Sequence, residues 1–145
     1  MTSSPKRAAI MDPAMPPEVS AVFGVYPPAI RARLLAVRRL IFGTAAATDG
    51  VGPLTEALRW GEPAYLTTAT GSGSTVRLGW PRATPERGAV YFHCRTTLVA
   101  TFRTLFADEL AFEGNRAILL GTSDPLPEGP LAACLAIALT YHLAR

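Results

Sequence analysis

Two cysteines, two histidines and 11 carboxylates are the full stock of thiols, imidazoles and acidic side chains in this chain of 145 residues. Their spacing works against catalysis. His93 and Cys94 are neighbours in an alternating, strand-like run, so their side chains point to opposite faces and cannot pair as base and nucleophile. Cys134 and His142 share a helical pattern but are separated by about 12 Å along its axis, at about 1.5 Å of rise per residue. Glu62, fixed between a glycine and a proline, is the best placed single acid or base. A lone carboxylate in a turn more often accepts hydrogen bonds from backbone N–H groups. An enzyme built from this chain would have to assemble Glu62, Arg77, Tyr91 and His93 across a sheet.

Metal and cofactor chemistry find little support. The carboxylates are scattered, with Asp108-Glu109 the one adjacent pair. Cys94 and Cys134 are too few and too far apart for a disulfide framework or a zinc site, so free buried thiols are expected. Gly71-Ser72-Gly73-Ser74 lacks the Lys-Ser/Thr ending of a phosphate loop and precedes a strand pattern, which makes it a hairpin loop. No metal and no cofactor are expected.

The net charge is +3 from 14 basic and 11 acidic residues, and all the basic residues but Lys6 are Arg. That charge is too mild to imply nucleic acid. No apolar run reaches the roughly 18 residues of a membrane span, and the N-terminal Lys6-Arg7 precedes only a short apolar patch. A cytoplasmic protein is expected. Residues 1–15 carry no periodicity and are read as a flexible tail, and 16–145 as a single domain with 49% hydrophobic residues over the whole chain.

The elements that must position these groups follow from the hydrophobic periods. A short helix over Pro17–Tyr26 precedes a long one from Pro28 to about Ala47. Ile30, Leu34, Val37 and Ile41 form the core stripe of the long helix, flanked by Arg31, Leu35, Arg38, Arg39 and Phe42. Pro53 to Arg59 reads as a third, short helix with Leu54, Ala57 and Leu58 inward. Gly61 is expected at its C-terminal end, and Pro63 then forces an extended chain. Trp60, on this reading, is a core anchor. Strands are predicted at Tyr65–Thr68, Thr75–Trp80 and Ala89–Cys94. Alternation puts Val76, Leu78, Trp80, Val90, Phe92 and Cys94 on the core face, and Arg77, Tyr91 and His93 on the other. A helix over Thr97–Ala107, with Leu98, Phe102, Leu105 and Phe106 inward, leads to one or two strands around Gly114-Asn115. A C-terminal helix from Gly129-Pro130 carries Leu131, Cys134, Leu135, Ala138 and His142. The implied class is α+β: an antiparallel sheet of about four to five strands with helices packed on one face, a two-layer sandwich.

Trp60-Gly61-x-Pro63-x-Tyr65 after a short helix resembles the hallmark of the YdhG-like domains, a bacterial family largely without assigned function. The order of elements, the Phe112-Glu113-Gly114-Asn115 bend and the final helix agree over roughly residues 18–143. The resemblance implies a small α+β sandwich with helices against a curved antiparallel sheet. It also implies, for some members, a frataxin-like iron-chaperone role, yet the clustered carboxylates of such sites have no counterpart in this sequence.

The expected function is a non-enzymatic binding module taking a small ligand or a protein partner, with self-association as one form. Iron carriage and an enzyme at Glu62, Arg77, Tyr91 and His93 are the alternatives. The open sheet face reads either as a solvated face with no role or as a homodimer or partner interface, and nucleic acid is disfavoured there.

Overall fold

The computed structural model describes residues 12–143. Most of the expected N-terminal tail lies outside that range. Four helices and six strands follow in the order α1 (Pro17–Val25), α2 (Pro28–Ala47), β1 (Thr55–Arg59), β2 (Glu62–Leu66), β3 (Val76–Gly79), β4 (Arg87–Tyr91), α3 (Leu98–Phe106), β5 (Ala111–Glu113), β6 (Ala117–Gly121) and α4 (Glu128–Leu139). The strands form one antiparallel sheet in the order β1-β2-β3-β4-β6-β5. This is the two-layer α+β architecture expected, with one strand more than foreseen.

All four helices pack on one face. The core stripe of α2 is as its spacing requires, with Ile30, Leu34, Val37 and Ile41 buried. They meet Tyr65, Val76, Leu78, Val90, Phe92, Ile118 and Leu120 from the sheet, and Leu131, Cys134, Leu135 and Ala138 from α4. A run of buried side chains of this size, each contributing about 1.5–3 kcal/mol, is the main source of stability. Along α3, Leu98, Val99 and Phe102 are buried, whereas Leu105 is 52% exposed. The inner stripe of α3 is therefore centred about one position earlier than its periodicity suggests.

The segment expected as a third helix is strand β1. Glu56, Ala57, Leu58 and Arg59 are good helix formers by propensity, but pairing with β2 overrides that weak preference. Trp60 and Gly61 have φ of 52° and 75°, the double positive φ of a two-residue type I′ hairpin turn. The pair next to such a turn is Arg59↔Glu62. Pro63 comes one residue later, opposite Leu58, where the β1 ladder asks for no N–H. Trp60 is 85% exposed. It is a turn residue and no core anchor.

The glycine-rich run after β2 has a structural task. Ser72 Oγ donates to Leu139 O at 2.8 Å, Ser74 N to Ala138 O at 2.9 Å, and His142 N to Ser72 O at 2.9 Å. Carbonyls at the end of α4, which no helical N–H can reach, are satisfied by this loop. Gly73 is required because a Cβ there would overlap the Leu139 backbone. His142 consequently lies beyond the end of α4 and is exposed, off the helical face expected for it.

Candidate functional site

On the face of the sheet away from the helices, strand register brings three of the four expected residues together. Arg77 and Tyr91 are direct cross-strand partners, and Arg77 is paired on its other side with Ala64 of β2. Glu62, at the start of β2, is ion-paired with Arg77. Gly79 makes the meeting possible. A Cβ on it would lie 2.5 Å from Glu62 Oε2 and 2.7 Å from Tyr91 Cε2. The carboxylate and the ring occupy the space that any larger residue would fill.

Trp60, arriving from the hairpin turn, extends the group. The Arg77 guanidinium carbon is 5.1 Å from the Trp60 ring centroid and 5.3 Å from that of Tyr91, and the Arg116 guanidinium carbon is 5.3 Å from Tyr91. Aromatic ring and cation thus alternate across the face as Trp60, Arg77, Tyr91, Arg116, each contact within the roughly 6 Å reach of a cation–π attraction. Beneath and beside them Ala64, Ala89 and Ala117 are fully buried, and Tyr91 is 7% exposed.

Electrostatics follow this packing. Burial pushes the Glu62 carboxyl above its ordinary value, against the opposing pull of Arg77 and Arg116. Burial first, and then the Glu62 charge, raise the Tyr91 phenol. The phenol therefore stays protonated, with no thiol or imidazole beside it.

His93 does not join the group. It follows the end of β4 and is exposed, and its Nδ1 accepts from the Arg95 backbone N–H at 3.0 Å. The alternation that would have carried it to the open face stops at Tyr91, where the chain bends toward α3. Cys94 is exposed for the same reason, against the expectation of a buried thiol, while Cys134 is fully buried.

A second polar group was not foreseen as a unit. Arg38 and Glu56, with side chains only 2% and 5% exposed, form a two-pronged ion pair through Nε–Oε2 at 2.6 Å and Nη2–Oε1 at 2.8 Å. Tyr65 Oη donates to Glu56 Oε2 at 2.9 Å, and Arg38 Nη2 also donates to Pro13 O at 2.9 Å. Phe42 packs edge-on to Tyr65 and under the Arg38 guanidinium. Both carboxylate oxygens are met, and the triad ties α2 to the edge strand β1. Sequence periodicity places Arg38 beside the stripe of α2. It reveals Glu56 only when Thr55–Arg59 is read as a strand, with Glu56 and Leu58 inward.

A cavity of about 970 Å³ lies elsewhere, between the end of α2 and the following loop. Pro13, Phe42, Ala46, Gly52 and Leu54 give it mainly apolar walls, with Arg39 and Asp12 paired at 3.3 Å on its rim. None of the four expected site residues lines it. Among the described residues no group of three or more His, Cys, Asp or Glu side chains is placed to hold a metal ion, and no helix is long and apolar enough to cross a membrane.

No family model matches the chain, and no curated protein and no solved structure matches it either.

Proposed function

We propose that this chain is a non-enzymatic binding module, of the YdhG-like kind its motif resembles, working in the cytoplasm. It takes a small ligand or a protein partner on the open sheet face around Trp60, Arg77 and Tyr91. Trp60 carries this reading. The first position of a type I′ turn favours Asn, Asp or Gly, and a bulky residue at positive φ costs on the order of 1 kcal/mol or more. This chain places a Trp there and leaves it 85% exposed. Folding gains from that choice only an exposed cation–π contact with Arg77, about 0.5–1 kcal/mol, whereas Trp is among the residue types that carry most of the energy of an interface. Glu62 and Tyr91 lack a nucleophile or imidazole partner, which supports binding over catalysis. Iron carriage lacks a donor set among the described residues.

Native mass spectrometry of freshly purified protein, with light scattering at tens of micromolar, tests the proposal. A retained ligand, a retained partner or a dimer that Trp60→Asn abolishes supports it. A bare monomer, indistinguishable in wild type and variant under both methods, counts against it.

A further inference from the structure

Charge on the open face is unevenly matched. Cross-strand register sends Arg59, Arg77, Arg87, Glu62 and Glu113 to that face, and Arg116 reaches it from the β5–β6 turn. Glu62 is answered by Arg77, whereas Glu113 lies 3.7 Å from a half-exposed Arg116, beyond hydrogen-bond distance. Among the described residues Arg59 donates only to the Leu58 carbonyl beside it, at 2.9 Å. Arg87 has Glu86 at 3.9 Å, but that carboxylate is 67% exposed, a pair of little worth in water. Among the described residues four guanidiniums stand against two carboxylates on one face, and the surplus, Arg59 and Arg87, lies three strands apart.

We propose, resting on the binding-module reading above, that the open sheet face takes an acidic, extended segment of a partner protein. Its side-chain carboxylates would bind Arg59, Arg87 and Arg116, and an apolar side chain of the segment would cover Trp60. Ring contacts restrain Arg77 and Arg116, and the Arg116 side chain stays 58% exposed. A cation already fixed in this way loses less rotamer freedom when a carboxylate meets it. From β1 to β6 the face spans about 19 Å at about 4.8 Å per strand, the reach of about six extended residues.

Two other occupants fit less well. A second copy of the face would bring guanidiniums against guanidiniums, which opposes self-association there. Single-stranded nucleic acid needs successive free ring faces, whereas Tyr91 is 7% exposed between Arg77 and Arg116, leaving Trp60 as a lone platform.

Fluorescence anisotropy with three labelled probes of about twelve units decides the matter: a peptide alternating Glu with Leu and Ser, the same peptide with Gln for Glu, and oligo-dT. The full chain should bind the Glu peptide at least roughly tenfold more tightly than the Gln peptide, with the preference shrinking as salt is raised. Arg59→Gln with Arg116→Gln, both surface side chains, should lose roughly tenfold in affinity with an unchanged melting temperature. Arg39→Gln with Arg103→Gln, an equal loss of charge on the helix layer, should lose little. Equal binding of the Glu and Gln peptides overturns the proposal. So does tighter binding of oligo-dT, or an equal loss from the helix-layer pair. The parent reading fails separately, when Trp60→Asn alters neither probe binding nor any species retained in the mass spectrum.

Discussion

Trp60→Asn separates a turn residue from a core anchor. Asn adopts positive φ more readily than Trp, and only an exposed cation–π contact with Arg77, worth about 0.5–1 kcal/mol, is lost. Stability by urea denaturation should therefore stay within about 1 kcal/mol of wild type or rise above it. A loss of ~3–5 kcal/mol, typical of a buried aromatic, would restore the core-anchor reading. Glu62 provides a second test with a definite sign. Its carboxyl sits above the ordinary value of 4.5 in the folded chain. As pH rises from that value, the unfolded chain releases the proton before the folded chain does. Glu62 thus contributes stability that is fully present below pH 4.5 and lost as pH rises through the folded pKa. Relative to Glu62→Gln, wild type should lose stability over that window. A difference between the two that is flat with pH would show that the carboxyl is not desolvated. Of the open-face group, Arg77 and Tyr91 were legible from alternation alone. Trp60 was not, because Trp-Gly lacks the Asn-Gly signature of a hairpin turn, and its size argued for burial.

Element by element, the long periods read true and the short one did not. The stripe of α2 repeats over several turns, so period and burial agree. Thr55–Arg59 is five residues long, too short for a period to outweigh its helix-forming composition. What makes it a strand lies in β2 and in the Arg38–Glu56–Tyr65 triad, contacts that local sequence does not contain. That triad supports a prediction about β1. Removing one charge leaves the other buried and unpaired, at a cost of about 3–5 kcal/mol. Glu56→Gln or Arg38→Met should each lose stability on that scale in urea. The triple variant Arg38→Met, Glu56→Leu, Tyr65→Phe should recover most of the loss, because it leaves no buried charge or hydroxyl without a partner. A triple variant as unstable as either single one would mean that the ion pair itself holds the edge strand in place.

For the whole molecule, the two thiols report on different openings. Cys94 is exposed, whereas Cys134 is fully buried in α4 and burial pushes its thiol up to about 12. At neutral pH an aromatic disulfide reagent should therefore modify one thiol promptly and the second only when the structure opens. The helix bearing Cys134 packs against α2 and α3, and the loop at Ser72–Ser74 bonds its last carbonyls. Releasing α4 thus removes Leu131, Leu135 and Ala138 from the shared core together with those hydrogen bonds. Local release should cost nearly as much as global unfolding. In a Cys94→Ser background, the slow labelling of Cys134 should give an opening free energy matching that from urea denaturation. Gly73→Ala, whose Cβ would strike the Leu139 backbone, should speed labelling and lower global stability in step. Labelling far faster than global unfolding allows would instead show that α4 detaches alone, and that the glycine-rich loop is a latch on one helix.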